Sequence, residues 1–444
     1  MRVQQMSSVK LCLMPLSMFL LGDPPALGDV ASGAASASSG QDTLSLVQAQ
    51  RIALERNWDL LAAAKGIDAA LAQRLVSHEF PNPTFSYSTA KISIDDHPSS
   101  TPAGNGLWER SYDTILAVNQ LFEVGGKRRS RQSSAQAGLE GAQAQFFDAR
   151  RTLDLAVAKA YVAAAQAEES VRVLGQSAGT LRQEARIAEL RLKAGEISSS
   201  DKDQIEITAD RFELEAKTAE STAAQARVAL ETLLGTPHPQ GAIILTDRLE
   251  TLAASPAAEP SPAAAVHRPD VVAAEAAVRK SESDLRLQKA NRIPDPTVLF
   301  MYEHEPPDQP DTVGLGLSFP VPLWNRNTGN LRAAEAARDQ ARLALQKAEA
   351  QAAADIATAR LSYDDAQKRW QSYQDAIRPK SENIRKTIAY AYEKGGVSLL
   401  DLLVAERNDN EVRLAATQAA ADKAVAVATL KAATFEMDRL STHK

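Results

Sequence analysis

Carboxylates and an imidazole gather at Glu303-His304-Glu305, with Asp308 and Asp311 close behind. These are side chains that a divalent cation accepts as ligands. Prolines 306, 307 and 310 interleave with them, so the stretch reads as a solvated loop between two strands. No metal centre is expected there. Gly125-Gly126-Lys127 has the look of a phosphate-binding loop. Such a loop needs a leading glycine and a Ser or Thr after the lysine, and here Arg128 follows. The segment reads instead as a tight strand-to-helix turn, with Arg129 and Arg131 close to it. Pro320 and Pro322 mark the matching junction later in the chain. No nucleophile–base pair or nucleotide loop stands out, and neither enzyme activity nor a cofactor is expected.

Other residues alter a helix rather than react. Gly179 and Pro379 lie 200 positions apart, each sixteen residues before a turn glycine, Gly195 or Gly395. Both weaken a helix, Pro by ~3 kcal/mol and Gly by ~1 relative to Ala. They are expected to mark a hinge. Tyr390, Tyr392, Glu393, Lys394 and Asp401 surround the second turn and are candidates for a closing iris. The turns themselves, Gly195-Glu196-Ile197-Ser198 and Gly395-Gly396-Val397-Ser398, read as helix C-caps.

The elements that carry these residues are long. From 127 to 194 a stripe repeats every seven residues: Leu139, Phe146, Leu153, Ala160, Ala167, Leu174, Leu181 and Ala188. A second stripe of small residues, Ala142, Ala149, Ala156, Ala163, Ser170 and Ser177, runs beside it. The pattern predicts a coiled-coil seam on a rod of ~100 Å. A twin rod spans 328–394, with Leu345, Ala352, Ala359, Ala366 and Tyr373. Pro81-Asn82-Pro83-Thr84 matches Pro294-Asp295-Pro296-Thr297. The chain therefore reads as a tandem duplication.

The first repeat is expected over 42–235: one helix from Asp42 to Glu79, strands at 84–94 and 111–122, the rod 127–194, and a helix over 198–234. The second is expected over 263–437: a helix at 267–293, strands at 297–304 and 312–320, the rod 328–394, and a helix at 398–437. Each pair of shorter helices sums to about one rod length, so they should stack end to end beside it. Between the repeats, 236–262 reads as a belt around the rods, joined by a tail at 438–444.

In the strands the period changes to two. Val313, Leu315, Leu317 and Phe319 alternate with Gly314, Gly316 and Ser318. Phe85 and Tyr87, then Leu116 and Val118, then Val298, Phe300 and Tyr302 behave likewise. An apolar face opposite a small one suits the wall of a membrane barrel. Four strands cannot close one, since spanning barrels begin at about eight. Protomers must pool strands, and three would supply twelve.

Aromatic residues make up 5% of the chain while small apolar ones abound, which suits interlocked helices. The net charge of −6 excludes a generally basic chain, and no basic patch with interleaved aromatics appears, so no nucleic-acid partner is expected. Arg2 and Lys10, the apolar run 11–21 and Ala26-Leu27-Gly28 read as a signal peptide over 1–28, followed by a flexible linker over 29–41. Val9-Lys10-Leu11 before Cys12 does not form a lipoprotein box.

Several stretches together resemble the TolC-like outer-membrane efflux family over nearly the whole mature chain. They are Phe122-Glu123-Val124-Gly125-Gly126-Lys127-Arg128, His267-Arg268-Pro269-Asp270-Val271, Arg292-Ile293-Pro294-Asp295-Pro296, the run from Phe319 to Asn327, and the two glycine turns. The first looks most like the branch serving cobalt–zinc–cadmium efflux pumps. The resemblance implies a mainly α fold with a small β part. Long coiled-coil hairpins would form an α-barrel, and four strands per protomer would enter a trimeric, 12-stranded transmembrane β-barrel. It implies a homotrimer in the outer membrane of a Gram-negative bacterium, working with a periplasmic adaptor and an inner-membrane resistance-nodulation-division pump. The eight tip residues, 195–198 and 395–398, would meet the adaptor. Heavy-metal cations are the expected cargo, with drug efflux, type I protein secretion and a soluble periplasmic scaffold as the alternatives.

Overall fold

The computed structural model describes residues 43–90, 113–256, 265–305 and 309–435. The expected signal peptide and linker, residue Asp42, the outer ends of strands 84–94 and 111–122, and the tail at 438–444 lie outside them. The described residues belong to one compact unit within Gln41–Lys444.

The elements follow in this order: β1 (Thr43–Leu44), α1 (Leu46–Arg56), α2 (Trp58–His78), β2 (Thr84–Ala90), β3 (Asp113–Leu121), α3 (Lys127–Lys193), α4 (Ser199–Leu233), β4 (Ile244–Leu245), α5 (Leu249–Ala254), α6 (Pro269–Ala290), β5 (Thr297–Glu305), β6 (Gln309–Ser318), α7 (Thr328–Ser372), a π turn (Tyr373–Ile377), α8 (Arg378–Glu393) and α9 (Leu399–Ala433). Helix α3 is continuous for 67 residues, ~100 Å of rise. At the strand end α2, α3, α6 and α7 lie side by side, and at the other end α4, α3, α9 and α8 do so. The short helices thus flank α3 in succession.

Helix α3 carries most of the core. Leu139, Leu153, Leu174, Leu181 and Ala188 of its seven-residue stripe are buried. The second stripe is not the close contact the sequence suggested. Ala163 is exposed, and of the six only Ser177 is buried. Small residues that do allow close approach sit elsewhere, for example Gly141, where an added Cβ would lie 3.5 Å from the Ala276 Cβ. A helix at 3.6 residues per turn drifts against a seven-residue repeat, so one stripe cannot face one neighbour throughout.

Two expected helices are broken. The helix over 42–79 is two, because Asn57 leaves the helical region and caps α2 with its own side chain, which accepts from Leu60 N–H at 3.1 Å. Ser45 caps α1 in a reciprocal box with Gln48. The second rod is interrupted by the π turn. Pro379 has no N–H and its ring would strike the carbonyl four residues back. The wide turn, in which Arg378 N–H reaches the Tyr373 carbonyl, relieves that clash.

The linker over 236–262 contains β4 and α5. β4 pairs in parallel with β1, and the buried Tyr161 hydroxyl of α3 donates to Leu44 O at 2.8 Å. Asp247 N–H donates back to that hydroxyl at 3.2 Å. Leu249 and Ala253 of α5 pack on Val162 and Ala165. This belt is therefore fastened to the middle of α3.

Candidate functional site

The four long strands form one antiparallel sheet in the order β2-β3-β5-β6. Their register puts Phe85, Val118, Phe300 and Leu315 in one row, and Tyr87, Leu116, Tyr302 and Val313 in the next. Directly paired residues share a face, so one side of the sheet is apolar across these two rows. It is also bare: Leu315 is 83% exposed, Val313 73% and Phe85 66%. A contiguous apolar face of this size marks a contact with lipid or protein. The opposite face of β6 is not empty. Gly314 leaves room for Met301 and Gly316 for Leu299, whose side chains an added Cβ would meet at 2.8 and 3.2 Å.

Glu303, His304 and Glu305 fall on β5, which runs one residue past the strand end expected at 304, and Asp311 falls on β6, which was expected to begin at 312. His304 Nδ1 lies 3.1 Å from Asp311, and the Tyr302 hydroxyl donates to the same carboxylate. Among the described residues no group of three His, Cys, Asp or Glu is placed to hold a metal ion. Asp308 lies outside them.

The junction beneath the sheet explains two sequence motifs at once. Gly125 and Gly126 both have positive φ, +72° and +78°, and Gly125 packs against the Ile293 side chain. Lys127 is buried. It donates to Ile293 O at 2.6 Å and pairs with Asp295 at 2.8 Å, while Asp295 accepts from Val124 N–H at 2.9 Å. Arg131 pairs with Glu123, and Arg128 lies over the Phe80 ring. The glycine-lysine motif and the Pro-Asp-Pro motif are thus two halves of a clamp between the repeats. Pro320 and Pro322 are exposed on the other side of the junction, beside Trp324, which is 93% exposed. The His-Arg-Pro-Asp motif is a second clamp: buried Arg268 pairs with Asp270 and with Asp355 of α7.

At the far end the two turns are built alike. Gly195 and Gly395 have φ of +77° and +72°, and the backbone closes through Glu196 N–H to Arg191 O and Gly396 N–H to Ala391 O. These bonds satisfy the last carbonyls of each helix. Ser198 and Ser398 open the next helices in reciprocal boxes with Asp201 and Asp401. Asp401 is therefore engaged as a cap. The hydrogen bond from Ser398 holds its carboxyl below the usual range. Glu196, Gly396 and both serines are exposed, whereas Ile197 and Val397 are half-buried. Ile197 and Leu399 pack on Ala185, Ala188 and Ile205, so the tips touch.

Arg191 lies 5.2 Å from the Tyr392 ring centre and Lys394 lies 5.5 Å from that of Tyr390. Glu393 is exposed. Gly179 lies in unbroken helix, with open space where a Cβ would go, whereas the chain at Pro379 is deformed. The two candidates for a hinge are physically unlike.

A polar cluster between α8 and α9 was not anticipated. Arg385 reaches buried Glu406 and buried Asp409, each at 3.2 Å, and Ser381 donates to Asp409 at 2.9 Å. Ser177 donates to Asn410 across to α3. Burial pushes the Glu406 carboxyl up, against the pull of Arg385. Glu184 on α3 is also raised, first by burial and then by Glu406 and Glu393. The 200-residue offset carried a signal for this, because Arg385 and Asp409 stand opposite Ala185 and Ala209 in the first repeat.

The sequence profile described as "Outer membrane efflux protein" matches residues 49–236 and 261–434, and the chain belongs to that family. It is 26% identical over 378 residues to the cobalt-zinc-cadmium resistance protein CzcC of Cupriavidus metallidurans, covering 84% of this chain and 85% of that one. Among solved structures, a membrane protein from Pseudomonas aeruginosa superposes with a TM-score of 0.74 at 20% identity, covering 88% and 92% of the two chains. CusC gives 0.74 at 18% over the same shares. The MtrE outer membrane channel of Neisseria gonorrhoeae, in its open state, gives 0.71 at 21%, covering 88% of each. The fold is that of these channels.

Proposed function

We propose that this chain is one protomer of a homotrimeric exit duct in the outer membrane of a Gram-negative bacterium, and that it exports heavy-metal cations. The observation that carries the reading is the exposed apolar face of a sheet with two open edges, β2 and β6. Unpaired edges cost several kcal/mol per backbone group in lipid. Three copies joined edge to edge close a barrel of twelve strands, above the minimum of about eight. A soluble scaffold would leave Leu315 and Val313 in water. That no described helix is long and apolar enough to cross a membrane is compatible with spanning by strands.

The helices then continue the barrel as a periplasmic tunnel, and the exposed turns at 195–198 and 395–398 dock a periplasmic adaptor. A proton-driven inner-membrane pump of the resistance-nodulation-division class supplies the energy. Gly179, Pro379, Tyr390, Tyr392, Glu393 and Lys394 flank the aperture that opens and shuts. Likeness to CzcC favours metal cargo over drugs or secreted protein. The test is a deletion strain grown on graded zinc, cobalt and cadmium, and in parallel on drugs. Loss of metal tolerance alone, restored by the intact gene, is expected. Loss of drug tolerance alone would overturn the cargo. Purified chain without ion conductance in planar bilayers would overturn the duct.

A further inference from the structure

We infer that the groove between α2, α3 and α6 holds the phosphate of an anionic phospholipid headgroup from the inner leaflet of the outer membrane. Two adjoining cavities, of about 460 and 640 Å³, share Arg129, Ser133 and Arg286 as lining. Arg74 extends the basic lining at one end and Lys289 at the other. Five cations therefore line one groove, and one of them, Arg279, is paired with Glu140 and Glu275. Arg74, Arg129 and Lys289 have no ion-pair partner among the described residues, and Arg286 bonds only to the Ser283 hydroxyl. Their neighbours at the junction are already spent: Lys127 on Asp295 and Arg131 on Glu123. Two carboxylates also line the groove. Glu140 is taken by Arg279 and Glu282 by Arg342, each within 2.9 Å. The residual charge is positive, and guanidinium groups suit a phosphate diester through paired N–H donors.

The place of the groove selects the lipid. Its upper part is lined by Gly125, Gly126 and Ile293, directly beneath the ends of β3 and β5. With the strands in the membrane, the groove lies at the level of the headgroups. Basic pockets at such a boundary bind anionic headgroups. The inference rests on the outer-membrane reading above.

The full chain, purified in detergent as the oligomer, should retain phosphatidylglycerol over phosphatidylcholine in native mass spectrometry. The triple variant Arg129→Gln/Arg286→Gln/Lys289→Gln should lose about tenfold of that retention. Equal retention by variant and wild type would overturn the inference. So would displacement of the lipid by millimolar inorganic phosphate, which would make the groove a small-anion site. Outer-membrane fractionation and the heat-sensitive oligomer on gels are read on the same samples. If they hold while lipid selectivity is absent, only the headgroup site falls. If wild-type protein is monomeric and water-soluble, the duct reading falls with it.

Discussion

The two helical hairpins at the turn end have the same length and caps but opposite seams. Between α3 and α4 the contact is apolar: Leu181, Ala185, Ala209 and Phe212 are buried, with Ile205 behind them. Moved by 200 positions, these sites read Ser381, Arg385, Asp409, Val412 and Ala405. Where the first hairpin has Leu181 and Ala185 against Ala209, the second has a serine and an arginine against an aspartate. Arg182 of α3 does pair with Asp210 and Glu213, but at the surface, where such pairs contribute little. Helix α3 is also continuous where its twin has a π turn followed by proline. Burial of apolar surface is insensitive to small shifts, whereas a buried ion pair requires one geometry and is costly to break. We propose that the first hairpin is the fixed wall and that the second is the element that moves, its seam passing between paired and unpaired.

The largest expected effect tests the seams directly. Arg385→Ala leaves Glu406 and Asp409 buried without their cation, a loss of about 3–5 kcal/mol. Hydrogen exchange should quicken in α8 and α9 and stay unchanged in α4, and open-channel current in planar bilayers should rise. Equal quickening in α4 would erase the distinction. Writing an apolar seam into the second, as Ser381→Leu/Arg385→Ala/Glu406→Gln/Asp409→Ala, removes the buried carboxylates with their cation and should act in reverse, slowing exchange in α8. Next is the helix itself. Pro379→Ala removes a penalty of ~3 kcal/mol and should let the π turn relax to α-helix, lowering efflux with trimers intact. Gly179→Ala, at an open site in unbroken helix, should gain at most ~1 kcal/mol and leave efflux near wild type. If the double variant transports as wild type does, neither position is a hinge.

The smallest effect is one of pH. Glu406 and Glu184 are raised above the ordinary glutamate value of 4.5, chiefly by burial. A raised acid contributes its stability in full below that value and loses it as pH rises through the shifted one. Acidifying from above the shifted values toward 4.5 should therefore tighten α8 against α9 and α3. Glu406→Gln should flatten that response. Asp401 is shifted the other way by its Ser398 bond, so its cap weakens only as pH falls below the ordinary aspartate value of 3.8. If exchange near Ser398 follows the same pH response above 4.5, the assignment to Glu406 is wrong.

Much of this architecture was legible in residue spacing. The seven-residue stripe, the period of two in the strands and the paired glycine turns are local patterns, and local backbone geometry follows from them. What the spacing concealed depends on partners far along the chain. Lys127 meets Asp295, Arg268 meets Asp355, and Ser177 meets Asn410 across 233 positions. The break at Asn57 was hidden because apolar residues continue at helical spacing on both sides of it. A proline at 379 was visible, but whether a rod kinks, ends or widens there is decided by its neighbours. The second small stripe misled because a repeat of seven does not fix which neighbour each residue meets.

The open margins of the sheet also bear on how the assembly is made. If three copies join as proposed, a lone copy has two unsatisfied strand margins and a greasy surface, the combination that invites misassociation. On that proposal the solitary copy is the dangerous species, and escorting or rapid encounter would shorten its lifetime. Recovery of correctly joined product should fall off more steeply than the amount of chain supplied.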